Sequence, residues 1–221
     1  MSTTMRGRTV IYVTAFTLIQ GAFGHSQTTY EVPCNSSNNI FEISVANELG
    51  HTIESAELRP VSIPSWLEMS PGFETVSSLP AGTERIVRFH FSVLKSAPVH
   101  AAATVGFVVT TPWGERWNKK IALSVSPPVQ SVLFQNYPNP FNPETIIAYQ
   151  LHENAHVQIS IYDILGKVVT SLADNEESAG YHEIRWNAAD MAGSVYLLHI
   201  SAIRGNGKKV LESSRKIVIL K

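Results

Sequence analysis

Short runs of alternating apolar and polar residues recur along most of this chain, with turn-forming residues between them. In one such run Phe41, Ile43 and Val45 share a parity. Successive side chains of a strand point to opposite faces, so each run predicts a strand with one side on a core. No segment after residue 26 keeps a 3.6-residue apolar period, which argues against helices. The strands predicted in the first half are 40–47, 52–61, 66–70, 74–78, 84–93, 102–111 and 116–125.

The same alternation continues in the second half, where Ile147, Tyr149 and Leu151 fall on one face of a predicted strand. Residues 163–166 predict a hairpin turn, because Gly166 suits the left-handed position. Trp186 is the predicted core aromatic of this half. Short strands separated by turns are typical of sandwiches. We therefore expect an all-β chain with two consecutive immunoglobulin-like antiparallel β-sandwiches.

Two proline-rich breaks predict the domain organisation. Pro127 and Pro128 end the first set of strands, and three of residues 137–143 are prolines. Proline lacks an amide hydrogen and moves its predecessor out of the helical region, so the second break should be extended and stiff. We expect Tyr137 and Phe141 to pack onto the sandwich that follows. The predicted divisions are a signal peptide at 1–26, a sandwich at 30–127, a linker or entry segment at 128–143 and a C-terminal sandwich at 134–221.

The first residues have the pattern of a cleavable export signal. Arg6 and Arg8 precede an uncharged apolar stretch at residues 10–19, and small residues around Gly24 offer a cleavage position. The apolar stretch is too short for a stable membrane span. Since no later apolar run is long enough either, we expect no transmembrane span in the mature chain.

Composition narrows the classes of function. The formal net charge is −1 and charged residues make up 16% of the chain, so no net field attracts nucleic acid. Cys34 is the one cysteine, which excludes an internal disulfide. The preceding Glu31 and Pro33 do not fit a lipidation signal. Cys34 is expected to be a free or intermolecular thiol in an unstructured start.

An ordered series of motifs runs from residue 134 to the end. Its members are Asn136, Tyr137, Pro138, Asn139, Pro140, Phe141, Asn142 and Pro143 at the opening, then Tyr162, Asp163, Gly166, Gly180, Trp186, Gly193 and Tyr196, and finally Lys216 and Lys221 in a basic, apolar end. This series resembles the type A C-terminal sorting domain of type IX secretion substrates. The loop after Trp186 departs from the longer acidic loop of that family, so Asn187 and Asp190 are interpreted as turn formers and not as calcium ligands.

The resemblance implies a route and a set of partners. The protein would cross the inner membrane by its signal peptide and be recognised by an outer-membrane secretion translocon. A sorting and processing protease would remove the domain in many members, and the cargo would be joined to surface lipopolysaccharide or released. A secreted or cell-surface location, through the periplasm, is therefore implied. A similar opening occurs in immunoglobulin-like domains of hook-capping proteins, which share the fold and not the destination.

The basic end of the chain allows two interpretations. Residues 204–221 contain six Lys or Arg and one Glu. Positive charge protects an edge strand against unwanted pairing. Alternatively, an exposed edge with positive charge is a docking strand for a receptor.

One motif resembles a catalytic site but is weak evidence for an enzyme. Residues 152–156 match the H-E-x-x-H pattern of zinc peptidases, but that chemistry needs a helix and the flanking segments predict a β-turn. No catalytic residue, cofactor or metal is predicted. Trp113 and Trp117 flank a predicted short hairpin and offer a candidate site for a carbohydrate or protein ligand. The leading hypothesis is a non-catalytic exported protein whose first domain is structural or adhesive cargo, with surface ligand binding and a zinc peptidase as alternatives.

Overall fold

The structure, a computed structural model, describes residues 2–5, 8–18 and 29–220. The described chain is built of strands, and it divides into two compact units, residues 1–126 and 127–221. The expectation of an all-β chain with two consecutive sandwiches is therefore confirmed. In the described part of the chain, no helix is long and apolar enough to span a membrane.

The described residues of the first unit form ten strands, which lie in two five-stranded sheets. They are β1 (Ser2–Met5), β2 (Arg8–Leu18), β3 (Thr29–Pro33), β4 (Ser36–Asn47), β5 (Ile53–Val61), β6 (Leu67–Ser70), β7 (Glu74–Leu79), β8 (Glu84–Val93), β9 (Ala102–Thr110) and β10 (Arg116–Ser126). The sheet orders are β1-β2-β4-β8-β6 and β3-β10-β9-β5-β7. All seven strands expected between residues 40 and 125 are present.

The first unit departs from a purely antiparallel sandwich in two places. Strand β3, which the alternation did not predict, pairs in parallel with β10. Strand β2 pairs in parallel with β4. Strands β1 and β2 fall within the predicted signal peptide, whose cleavage region at residues 19–28 lies outside the described residues, so cleavage stays a prediction.

A cluster of phenylalanines joins the two sheets of the first unit. Phe41 of β4 stacks on Phe91 of β8 at a ring-centroid distance of 4.3 Å. Phe107 of β9 meets Phe41 edge-on at 5.5 Å and Phe89 of β8 at 5.4 Å. Because β9 belongs to the other sheet, these contacts close the sandwich over a shared core.

Cys34 belongs to this core. Its side chain is buried, and its thiol lies 3.4 Å from the backbone oxygen of Ala97, to which it donates. Burial raises the pKa of the Cys34 thiol. The expectation that Cys34 lies in an unstructured start is therefore wrong, because β3 places it against the core.

Between residues 127 and 220 the structure describes seven strands, in a three-stranded and a four-stranded sheet. They are β11 (Val132–Leu133), β12 (Glu144–Leu151), β13 (Ala155–Tyr162), β14 (Val168–Glu177), β15 (Gly180–Asn187), β16 (Val195–Ile203) and β17 (Lys209–Val218). The sheet orders are β11-β12-β15 and β14-β13-β16-β17. A core that includes Tyr149 of the first sheet and Ile159 and Leu198 of the second lies between them.

The phenylalanine cluster generates the first prediction. Phe107→Ala should lower the free energy of unfolding by about 3–5 kcal/mol, because it leaves a cavity where the two sheets meet. Urea denaturation of the full chain measures the change. Ile86→Ala is the control, since Ile86 is 57% exposed, and it should cost less than about 1 kcal/mol. Equal effects of the two substitutions would contradict this account of the core.

Candidate functional site

The last strand of the second unit lies at the edge of its sheet. Strand β17 pairs with β16 on one side, and no strand pairs with its other side in the described structure. We use the name terminal strand for β17 with its continuation to Leu220. Ile217 and Ile219 are buried in the core, so the terminal strand contributes to the fold as well as to any signal it carries.

Side-chain amides from the motif at the start of the unit occupy the free edge of the terminal strand. We use the name opening segment for residues 135–143. Asn139 accepts a hydrogen bond from the backbone N–H of Val218 at 2.9 Å through its Oδ1. Its Nδ2 donates to the backbone oxygen of Lys216 at 3.2 Å, and Gln135 Nε2 donates to the same oxygen at 3.0 Å.

The backbone of Phe141 continues this contact. Its N–H donates to the oxygen of Val218 at 3.0 Å, and its oxygen accepts from the N–H of Leu220 at 2.9 Å. The Phe141 ring is buried and contacts Trp186 at a centroid distance of 5.5 Å. The hypothesis of an exposed edge at residues 216–220 is therefore wrong, because the opening segment binds the edge groups that would otherwise be free.

Asn136 stabilises the opening segment from inside. It is almost fully buried, and its Nδ2 donates to the oxygen of Pro138 at 3.0 Å and to Thr145 Oγ1 at 2.9 Å. Thr145 Oγ1 donates in turn to the oxygen of Pro138 at 2.9 Å. Gln135 Nε2 donates to Asn136 Oδ1 at 2.7 Å. The asparagines at 136 and 139 are thus structural parts of the motif.

Other residues of the opening segment face outward. Tyr137 is 80% exposed, so the expectation that its ring packs onto the sandwich is wrong; only its backbone pairs, with Ile146. Pro140 and Asn142 are exposed as well. The oxygen of Pro143 accepts from the N–H of Ala188 at 2.9 Å and so joins the segment to the loop after β15.

The remaining motif residues build turns and core. Asp163 and Gly166 form the predicted hairpin between β13 and β14, with Gly166 at φ 79°. Trp186 is buried, and the buried Tyr196 donates from its hydroxyl to the oxygen of Ala192 at 3.0 Å. The positions of the others are as follows. Gly180 begins β15 at φ 140°, Gly193 lies exposed before β16, Tyr162 ends β13, Lys216 is exposed, and Lys221 lies outside the described residues.

The loop after Trp186 behaves as a turn. Asn187 Oδ1 accepts from the N–H of Ala189 at 2.9 Å, and its Nδ2 donates to Glu144 Oε1 at 3.2 Å. An asparagine that bonds the backbone two residues later is a turn former. Asp190 lies exposed in the same loop.

Three of the six Lys and Arg residues at 204–221 have partners within the second unit. Arg204 lies 3.0 Å from Glu153, and Lys209 pairs with Glu212. Arg215 Nη2 donates to the backbone oxygen of Leu133 at 2.9 Å, which attaches the terminal strand to β11. The second unit therefore does not present six unpaired positive charges at its C-terminal end.

The residues of the H-E-x-x-H match are separated by the local structure. His152 and Glu153 lie in the predicted turn, whereas His156 lies in β13. His152 Nδ1 hydrogen-bonds Ser131 at 2.7 Å, while His156 Nε2 pairs with Asp174 at 2.7 Å. The hydrogen bond from His156, with a second from Gln158, lowers the pKa of Asp174.

Glu153 takes part in a third contact, with Arg204. Its buried Oε1 lies 3.3 Å from His152 Nε2 but has no hydrogen-bond partner among the described residues. Within residues 29–220, His, Cys, Asp and Glu form no group of three that could hold a metal ion.

The two tryptophans proposed for ligand binding have different environments. Trp113 is 66% exposed in the turn between β9 and β10. Trp117 lies in β10 and packs against the core of the first unit. Only Trp113 remains as a surface for a ligand at that hairpin.

A comparison with known families identifies the second unit. Residues 135–219 match the family model described as the secretion system C-terminal sorting domain. This segment is a type IX sorting domain. The match begins at the opening segment and ends with the terminal strand, the two parts of the chain that the hydrogen bonds above bring together. A C-terminal sorting domain of this kind indicates a cargo of type IX secretion.

The sorting domain accounts for under half of the chain, and other comparisons add no functional information. No curated protein sequence matches this chain. Similar solved structures include the latent PorU dimer of Porphyromonas gingivalis, at 15% identity over 89% of this chain and 19% of that chain, with a TM-score of 0.35. The YadV chaperone is 10% identical over 87% of this chain and 98% of that chain, with a TM-score of 0.32. At these identities and TM-scores, the similarities indicate nothing about the function of this chain.

The opening segment contains a matched pair of asparagines for a test of its edge contact. Asn139→Ala should remove the bonds to Lys216 and Val218 and lower the free energy of unfolding by about 1–3 kcal/mol, because a backbone donor loses its partner. Hydrogen exchange should show faster exchange of the Val218 amide.

Asn142→Ala is the control for this substitution. Asn142 is exposed and has no side-chain hydrogen bond among the described residues. Protection at Val218 should therefore be unchanged. Protection that survives Asn139→Ala would contradict the role assigned to Asn139.

Tyr149 generates a pH prediction. Burial, followed by the charge and hydrogen bond of Glu177, raises the pKa of Tyr149. The contribution of Tyr149 to the free energy of unfolding is fully present below the unfolded pKa of about 10. It is lost as the pH rises through the higher folded pKa. Between pH 9 and pH 11, the free energy of unfolding should therefore decrease less in Tyr149→Phe than in the parent chain. Tyr137→Phe, at an exposed position, should match the parent.

Proposed function

We propose that this chain is a secreted or cell-surface protein without catalytic activity, whose first unit is structural or adhesive cargo. The observation that supports it best is the sorting domain itself, a separate compact unit with its own core. Its motif residues serve hydrogen bonds, turns and packing. A domain built in this way gives another protein a fixed shape to recognise.

The proposed route has three steps. The N-terminal signal takes the chain across the inner membrane, and both units fold in the periplasm. An outer-membrane translocon then recognises the sorting domain, and a sorting protease cleaves near the opening segment. The first unit is released or joined to surface lipopolysaccharide.

The absence of catalysis is part of the proposal. The positions of the H-E-x-x-H residues support this absence, since their three side chains take part in separate contacts with Ser131, Arg204 and Asp174. Zinc chemistry with this motif needs both histidines on one helix face. A chelator-sensitive peptidase activity of the purified chain that Glu153→Gln abolishes would contradict this part.

Cell fractionation tests the route. In a host with type IX secretion, the full chain should reach the outside of the outer membrane, and a chain that lacks residues 127–221 should stay in the periplasm. Processing should shorten the external form by about 10 kDa, given 24.3 kDa for 221 residues. Export of the shortened chain at the level of the full chain would contradict the proposal.

A shallow groove on the first unit favours a second candidate function, ligand binding. It has a volume of about 550 Å³ and lies over β5, β7 and β9. Its polar lining includes Glu57, Arg59, Thr110 and Arg116, and Pro112 in its wall directly precedes the exposed Trp113. Charged and hydroxyl groups in a groove, with an exposed tryptophan next along the chain from its wall, suit a sugar ring.

A glycan array tests this second function. The full chain should bind a glycan, and Trp113→Ala should reduce that binding about tenfold or more, because stacking on the ring is lost. Ile86→Ala changes an exposed side chain that does not line this groove and should leave binding intact. Binding that persists in Trp113→Ala would exclude this use of the turn.

A further inference from the structure

The outer face of the four-stranded sheet changes from apolar to polar along its strands. The strand registers align its residues in rows that cross the sheet. Val168, Tyr162, Leu197 and Lys216 form one row, and Val195 and Val218 extend the same end. The next row is Ser171, Ser160, His199 and Ser214, and the rows beyond it contain Asp174, Glu212, Glu176 and Lys209.

Apolar side chains at one end of this face are exposed. Val168 is 50% exposed, Leu197 44% and Leu220 52%. The hairpin from β13 to β14 extends from the same end, with Ile164 77% and Leu165 88% exposed. We call this group, with Val195, the apolar end. Clustered exposed apolar residues of this kind mark interaction sites in soluble proteins.

The hairpin is held in one shape although its tip is exposed. Asp163 Oδ1 accepts from the backbone N–H groups of Leu165 and Lys167, both at 2.9 Å. The N–H of Gly166 donates to the oxygen of Asp163 at 3.1 Å. A partner would therefore meet Ile164 and Leu165 in a fixed position, with little ordering cost on binding.

Charge at the border indicates the kind of partner. Lys167 adjoins the hairpin tip and Lys216 ends the apolar row, and neither has an ion pair among the described residues. Asp163, the carboxylate of the same hairpin, is occupied by two backbone donors. The acidic residues of this face lie in the far rows. A surface with an apolar centre and carboxylates at its border would complement the apolar end.

We propose that the apolar end is the surface through which the sorting domain docks on a protein of the export machinery, which presents apolar side chains bordered by carboxylates. The proposal rests on the proposed function. The apolar end includes residues of the terminal strand, although the edge of that strand is occupied by the opening segment. Val218 and Leu220 share the parity of Lys216 and so belong to the outer face.

Substitutions at the apolar end test the proposal in the full chain. Ile164→Ser combined with Leu165→Ser should lower the amount outside the outer membrane about tenfold or more, and the chain should accumulate folded in the periplasm. Leu197→Ser should act in the same direction. Lys167→Glu should also reduce export, because it opposes carboxylates of the partner.

The control lies on the same face. Ile203→Ser changes a side chain of similar exposure, 39%, in a far row, and it should be exported normally. Thermal unfolding of each purified variant checks that the fold is intact. Retention of Ile203→Ser to the same extent, with its fold intact, would overturn the assignment of the surface.

Two export results distinguish a wrong docking surface from a wrong proposed function, and light scattering tests self-association. If the double variant is exported like the parent while the chain without residues 127–221 is retained, the docking surface is wrong and the proposed function stands. If that shortened chain is exported too, the proposed function itself fails. Light scattering should show a monomeric parent chain. A parent dimer that the double variant abolishes would assign the apolar end to a second copy and overturn the proposal.

Discussion

The structure of the sorting domain depends on the contact between its two ends. The opening segment supplies Asn139 and Phe141 to the edge of the terminal strand, and the terminal strand supplies Ile217 and Ile219 to the core. Without the opening segment, the N–H and C=O groups of residues 216–220 would face water at an open edge, which invites pairing with other chains. With it, the end of the chain is fixed in a sandwich that contains no disulfide.

This contact explains how one domain can be both stable and recognisable. The side-chain amides of Asn136 and Asn139 are used inside the domain, so they are not available to a partner. The outer face of the four-stranded sheet keeps exposed side chains in rows set by strand register. Hydrogen bonds close the edge of the terminal strand. The outer face of the sheet stays exposed and carries apolar residues at one end and charged residues at the other.

Much of this arrangement could be predicted from the sequence. Alternation gave the strands of both units, because a face on a core needs apolar residues at every second position. The motif series predicted the family. Gly166 predicted its hairpin, since φ 79° suits glycine.

Other features depend on long-range pairing, which alternation does not contain. Asn139 bonds residues 77 and 79 positions later, and no local pattern indicates that partner. Gln135 and Thr145 were missed as supports of the motif for the same reason, although both adjoin it. Tyr137 and Phe141 are similar residues four apart, yet only Phe141 is buried. Trp113 and Trp117 likewise separate into surface and core, which depends on where β10 begins.

If the sorting domain is a self-contained address, residues 127–221 should be sufficient to direct a passenger out of the cell envelope. The most direct measurement is to fuse these residues behind a signal peptide and a fluorescent reporter, and to locate the reporter in a host with active type IX secretion. The account predicts fluorescence outside the outer membrane. A fusion that stays in the periplasm, while the host exports its own substrates, would contradict it.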